Sequence, residues 1–550
     1  MAARLPPEII DAIIFHARHP HDLPEQSIAR LAAVSPPWRA AVERRTFRES
    51  QLLSTDLPAF AAVFTHTARR GYLRVIRYRI LLPEYPIRRR ERYEVQADRD
   101  ANNAALTEAM RALFAILAEW ERGHDDDMSP LHISLDAVYS LTDRCPPGVP
   151  HVPTAREFCS IPSQRGMRFQ YSYLHLDDDV ELPRVRRVTS FCFERPSGRR
   201  RQLAPHAFVQ IAAALSGLTS LRGSFEDSET AYPALRSMCR RSLADALDAW
   251  AVPVGLKHLD FRLTGALLLN HAWQPAQLPM TDGGGDAISD ALRKATLQMP
   301  ELTSLRLEGV LDASLLWPSQ HNAVSLADPS LTPPFWQNLT VLQVDFSMTS
   351  SSGAWYFRAR TAIDQPLPEQ ASETAMPPGY KSAEPRETTA IYRYITRPKP
   401  SGRRPIRLFR LVPDEPVLLP LIAAFALACA QTPTLNTAAL STMLDVELRV
   451  GDDSAPVTSN WGIYFAARGH SSPWRERLGG LEDLTEDLRV ARLTFNTRQW
   501  QPNPEVLDLL RMMPRGVPLR EKHIDLWERC EKGAEMTRWP ETIAWWRPPL

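Results

Sequence analysis

The stretch LTSLRLEG, residues 302–309, decides how the chain is read. It places Leu302, Leu305 and Leu307 in an L-x-x-L-x-L spacing, and the last two share one side of an extended strand because strand side chains alternate. The spacing recurs as Val188-x-x-Phe191-x-Phe193, Leu256-x-x-Leu259-x-Phe261 and Leu339-x-x-Leu342-x-Val344, with a weaker copy at Leu218-x-x-Leu221. Apolar helical stretches precede several copies, at 208–215, 243–250 and 288–297. Upstream, 69–82 reads as a turn followed by a strand and 131–138 as a strand. Residues 103–122 read as a helix, with Leu106, Met110, Leu113, Phe114, Leu117 and Trp120 at three- and four-residue spacing.

A short strand plus a helix, repeated, resembles the leucine-rich repeat. Such a unit cannot bury its own apolar face, so the resemblance implies that neighbours stack into an array. The copies at 256, 302 and 339 lie 46 and 37 residues apart, against roughly 20–29 in the usual repeat. Thr264, Val310 and Ser347 stand where that repeat carries asparagine or cysteine. The array expected over 49–360 is therefore irregular. The alternative is an ordinary α/β domain whose strands share the pattern.

The N-terminal 48 residues read differently. In LPPEIIDAII, residues 5–14, Pro6 and Pro7 suit a first helical turn, where no backbone donor is needed. Glu8 complements that helix's positive end. Leu5, Ile9 and Ile13, and beside them Ile10 and Ile14, recur every four residues on adjacent strips of one face. Pro20 and Pro24 end this helix. A second is expected from Ser27 through Ile28, Leu31, Ala32 and Val34, with Pro36 and Pro37 stopping it, and a third opens at Trp38. Three short helices bury little apolar area alone, so a partner or the following domain must help.

The order Leu5-Pro6-x-Glu8-Ile9, then Ile13, Leu31-x-x-Val34-Ser35 and Trp38-Arg39 resembles the F-box. That resemblance implies a three-helix unit docking on the small adaptor subunit of a Skp–cullin–F-box ubiquitin ligase. The adaptor-binding positions it implies are Leu5, Pro6, Ile9, Ile13, Leu31, Val34 and Trp38. The link between the first two helices is longer than in the family, and Pro36-Pro37 replaces a polar pair. The expected fold class is thus α+β or α/β, an N-terminal three-helix F-box followed by an irregular leucine-rich-repeat-like array.

Residues 361–405, rich in Pro, Ser, Glu and Arg, read as an exposed linker with a brief strand at 390–395. QLPMTDGGGD, 277–286, reads as a flexible loop. After the linker come a helix at 418–430, a strand pair at 445–450 and 460–468 turning at Gly451-Asp452-Asp453, a strand at 488–495, and a helix introduced by Pro502 and Pro504. This order over 406–513 resembles a C-terminal region of unknown function in fungal F-box proteins, and 406–550 is taken as a continuation of the body.

The bulk composition excludes several classes. The 550 residues carry a net charge of +1, so no global field draws the chain to nucleic acid or membrane. Six scattered cysteines, without a Cys-x-x-Cys, argue against a disulfide scaffold or structural zinc. VLLPLIAAFALACA, 417–430, is too short to span a bilayer and reads as a buried helix. The N-terminal stretch lacks the cleavage pattern of a signal peptide. A cytoplasmic or nuclear location is expected.

Neither His16, His19 and His21 nor Asp177–Asp179 with Glu181 completes a ligand or acid set. Arg88–Arg90 and Arg199–Arg201 read as solvated surface. No phosphate loop, dinucleotide glycine triad or Gly-x-Ser-x-Gly occurs. The expectation is a non-catalytic protein without cofactor, the target-recognition subunit of the ligase. Its partners would be the adaptor and a target protein held on the strand-lined surface. The alternative is an interaction scaffold whose N-terminal helices cap the repeat core.

Overall fold

The computed structural model of the chain describes residues 6–16, 30–86, 89, 93–122, 129–143, 167–169, 171–177, 180–194, 201–227, 232–265, 268–318, 336–359, 406–450, 453–473, 488–498, 500–513 and 519–523. The expected linker and its brief strand lie outside them. The chain forms two compact units. The first is built from the described residues up to Thr264 with 291–305, the second from 265–290 and those from 306 on.

In the first unit, α1 (Pro7–His16) and α2 (Pro36–Thr46) precede β1 (Glu49–Leu53), α3 (Leu57–Val63), α4 (Thr67–Tyr72) and β2 (Val75–Leu82). Then follow α5 (Gln96–Arg122), β3 (Leu131–Ser140), β4 (Tyr173–Leu174), β5 (Val188–Phe193) and β6 (Gln202–Leu203). The unit continues with α6 (Pro205–Ala213), β7 (Ser220–Glu226), α7 (Pro233–Asp248) and β8 (His258–Thr264). Strands β1, β2, β3, β5, β7 and β8 are neighbours in that order, every pairing parallel. The repeated aliphatic copies at 188, 218 and 256 supply β5, β7 and β8.

Alternation gives these strands one sealed face and one wet face. In β2, Ile76, Tyr78, Ile80 and Leu82 are buried while Arg77 is exposed. The Tyr78 hydroxyl donates to the Ala109 carbonyl of α5 at 2.8 Å. On β5, β7 and β8 the sealing group is Phe208 of α6, 5.0 Å from Phe191, 5.2 Å from Phe225 and 6.4 Å from Phe261 between ring centroids. Gly223 makes room for this stack. A Cβ there would lie 2.6 Å from the Phe225 ring and 2.9 Å from Phe208.

Two boundaries differ from the sequence reading. Pro36 and Pro37 open α2, two residues ahead of the expected start at Trp38, because proline fits the first helical positions. Residues 67–72 are helical where a turn was expected. Arg69 and Arg70 donate to the Val63 and Phe64 carbonyls at the end of α3, which pins the segment as a second helix.

Arg201, expected on a solvated surface, is buried instead. Its guanidinium donates to Glu94 at 2.6 Å and to Asp143 at 3.0 Å. Arg168 joins from the other side, 2.7 Å from Asp98 and 4.2 Å from the centre of the Tyr85 ring. Burial opposes the Arg201 charge, and the Glu94 and Asp143 carboxylates more than offset it. Asp227 behaves likewise. Burial would raise it, but Arg236 and Arg240 hold it below the usual carboxylate range.

Ala287–Leu297 (α8) and Ser304–Gly309 (β9) follow in the chain, then β10 (Val341–Phe346), β11 (Phe357–Arg358), β12 (Val412–Pro413) and α9 (Glu415–Ala430). The chain then runs through β13 (Thr437–Val450), β14 (Asp453–Ala466), β15 (Ala491–Asn496), α10 (Pro504–Arg511) and β16 (Leu519–His523). In the second unit β10 pairs parallel with β13 and β15 with β16, while β13–β14 and β14–β15 are antiparallel. Both units are therefore mixed α/β. The strand pair is longer than expected because Thr437–Leu444 continue β13, burying Ala438, Leu440 and Leu444. The apolar run at 417–430 is a buried helix, as read. Among the described residues no helix is long and apolar enough to cross a membrane.

The loop at 277–286, expected to be flexible, is tied down. Thr281 donates to the Gly285 carbonyl through its N–H and its hydroxyl. Gly284 takes a φ of 79°, open to glycine at no steric cost. The buried Asp286 carboxylate accepts from the Ser289 N–H and hydroxyl at 2.9 and 2.8 Å, capping α8. Its neighbour Asp312 is raised by burial and by Asp286.

His271 is wholly buried, and its Nδ1 accepts the amide protons of Phe409 and Arg410, both at 2.8 Å. Burial first, then Arg410, brings its pKa down to about 3. The unfolded chain takes up that proton near the ordinary value of about 6.5. The stabilisation is therefore complete above about pH 6.5 and drains as pH falls toward 3, by at most about 1.4 kcal/mol per pH unit. The urea-denaturation advantage of the natural chain over His271→Gln is expected to shrink between pH 7 and pH 4.5. Replacing Arg201 with Met strands Glu94 and Asp143, and the same measurement at pH 7 is expected to lose about 3–5 kcal/mol.

Candidate functional site

The adaptor-binding residues implied by the F-box resemblance fall on a module with two kinds of aliphatic residue. Ile10 and Ile14 of α1 are buried against Ala41 and Val42 of α2, with Leu31, Ala32 and Trp38 packed partly buried around them. Ile9 and Ile13, one position earlier on the same helix, are 47 % and 40 % exposed, and Val34 is 61 % exposed. Pro6 is exposed and Leu5 lies outside the described residues. The structure thus places Ile9, Ile13 and Val34 in solvent and puts Leu31 and Trp38 at the margin of the module's own core. The geometry follows from length. A ten-residue helix meeting one eleven-residue partner buries a single strip. Asp11 pairs with Arg44 at 3.0 Å across the two helices, an exposed contact worth under about 1 kcal/mol.

The module is also keyed to the rest of its unit. Glu43 pairs with Arg69 at 3.0 Å, and the Phe47 and Phe64 rings meet edge to face at 5.6 Å.

The second candidate surface is the wet face of the parallel strands. Arg77, Ser134, Cys192, Arg222 and Asp260 are successive partners across β2, β3, β5, β7 and β8. One step toward the strand starts, His132, Ser190, Ser220 and His258 form a second row. The register shifts twice here, skipping Asp136 on β3 and Thr189 on β5. Bulges of this kind bend a strand and re-aim side chains beside functional sites.

Between the bulges, Cys192 Sγ lies 3.6 Å from His132 Nε2, and His132 Nδ1 lies 2.7 Å from Ser190 Oγ. The Ser134 hydroxyl donates to Asp136. The trough is framed by ion pairs: Arg77 with Glu49, Arg222 with Glu194, and Arg262 with Asp260. Burial pushes the Cys192 thiol up to about 11, against a smaller opposing hydrogen bond from Ser134. Burial, Arg222 and Arg77 together lower His132. Both groups are therefore neutral near pH 7. A neutral thiol beside a neutral imidazole is suited to hydrogen bonding and unlike a thiolate primed for attack.

Sequence reasoning missed this trough. His132 and Cys192 are 60 residues apart, and only the strand register joins them. Asp178 and Asp179 lie outside the described residues, and Asp177 is tied through its N–H to the Thr107 hydroxyl at 2.9 Å. No group of three or more metal-ligating side chains occurs among the described residues.

Removing Arg222 takes away a cation that lowers His132. Arg222→Ala is expected to raise the His132 midpoint toward 6.5, read by NMR titration of carbon-13-labelled histidine with His132→Gln as assignment control. Against known proteins, no family model matches this chain and no curated protein matches it.

Proposed function

We propose that the chain is the substrate-recognition subunit of a Skp–cullin–F-box type ubiquitin ligase. The observation that carries this reading is the split of the α1 aliphatics: Ile10 and Ile14 serve the module's own core, while Ile9 and Ile13 remain in solvent, as does Val34. A strip of that kind on a small helical unit is the surface another polypeptide covers. The order of residues around it resembles that of the F-box. The adaptor takes the exposed strip, and a target protein lies along the wet face of the parallel strands, over the Arg77–Arg222 trough. The contribution is positional, since holding the target near the conjugating enzyme raises its effective concentration.

One observation favours a second reading, a scaffold whose helices merely cap the body: the Glu43–Arg69 and Phe47–Phe64 contacts that key α2 to its unit. Deleting 1–48 separates the two, because a cap's removal lowers the melting temperature of the body and a docking module's removal leaves it.

Burying an isoleucine contributes about 1.5–3 kcal/mol. Ile13→Asp is therefore expected to weaken adaptor binding more than tenfold by isothermal calorimetry while the melting curve stays in place. Ile14→Asp is expected to unfold the module, seen as loss of helical signal. Equal effects of the two substitutions on folding would contradict the proposal.

A further inference from the structure

The chain contains five serine or threonine residues followed by proline: Ser35, Ser129, Thr332, Thr432 and Ser472. Thr332 lies outside the described residues. Three of the others are spent or sealed. The Ser129 hydroxyl donates to the Gly71 carbonyl at 3.2 Å. Thr432 is buried and donates to the Ala428 carbonyl at 2.8 Å. Ser472 is 1 % exposed.

Ser35 differs on each count. It is partly exposed and is followed by two exposed prolines. Its backbone is extended, with φ −167° and ψ 167°, the conformation that proline imposes on the residue before it. Its hydroxyl makes no capping bond to α2. It directly follows Val34, the most exposed large apolar residue of the module.

We propose that Ser35 is the acceptor of a proline-directed serine/threonine kinase and that its phosphate closes the docking strip. The second half rests on the adaptor-docking reading; the first does not. In the transfer, Ser35 Oγ bonds to the γ-phosphorus of ATP and the bond from that phosphorus to the bridging oxygen breaks. ADP departs with the electron pair, and the hydroxyl proton passes to the kinase's base. The product carries about −1.5 to −2 charges at pH 7. At the head of the eleven-residue α2, with Arg39 one turn along, that charge is tolerated by the folded module. An apolar partner surface resting on Val34 would have to strip water from it with nothing in return.

The test uses the full chain, MgATP and a proline-directed kinase. Peptide mass spectrometry locates the label, and calorimetry compares adaptor affinity for untreated chain, treated chain and treated Ser35→Ala. The expected result is one phosphoryl group at Ser35, an affinity loss of about tenfold or more in the treated chain, and untreated-chain affinity for treated Ser35→Ala. Ser35→Glu, with an unchanged melting curve, reproduces part of the loss. Absence of label at Ser35 overturns the acceptor assignment. A labelled chain that binds the adaptor as well as the unlabelled one, or that loses its fold, overturns the closing role. An unlabelled chain that ignores the adaptor, with Ser35 still labelled, brings down the docking reading and the closing role with it and leaves the acceptor assignment standing.

Discussion

Strands of five to ten residues lying parallel in a row must hide one face and wet the other, and in the first unit a few rings enforce the choice. Phe208 of α6 touches Phe191, Phe225 and Phe261 on three different strands, so one helix residue fixes which side of β5, β7 and β8 faces inward. A one-residue slip in any of them would send its polar set into the core. Once the rings settle the inside, Ser134, Cys192, Arg222 and Asp260 have only the outside left. The makeup of the polar face follows from the packing face.

Where the sequence was legible, the reason was local. The spaced leucines and phenylalanines at 188, 218, 256, 302 and 339 predict strands, and β5, β7, β8, β9 and β10 form there, because burial on one side needs nothing more than alternation. The helices at 103–122 and 417–430 were readable from apolar spacing and from a run too short for a bilayer. Pro36 and Pro37 were read only as a stop, yet proline also begins a helix with ease, and α2 opens on them.

What stayed hidden depended on distance. Arg201 reads as one of three surface arginines until Glu94 and Asp143 are brought from 107 and 58 residues away to meet it. The loop at 277–286 looks limp in composition, yet Asp286 is committed to Ser289 and its N–H to Asp312. His271 gives no hint of its two amide protons, which come from residues 138 and 139 positions later. The candidate trough has the same character, two slips in register plus a pair joined only through neighbouring strands. The exposed strip of α1 lies between these extremes. Its spacing was plain, but which of two adjacent rows would be left bare was decided by the position of α2.

Gly223 shows how differently the two faces of β7 can change over time. On the ring side, even a methyl group collides with Phe225 and Phe208, so that position is closed to every other residue unless the aromatic stack is rebuilt at once. On the opposite side, its neighbours Arg222 and Ser224 are partly exposed and clear of the aromatic stack. A duplicated gene is therefore free to vary the polar face step by step while the ring face stays fixed.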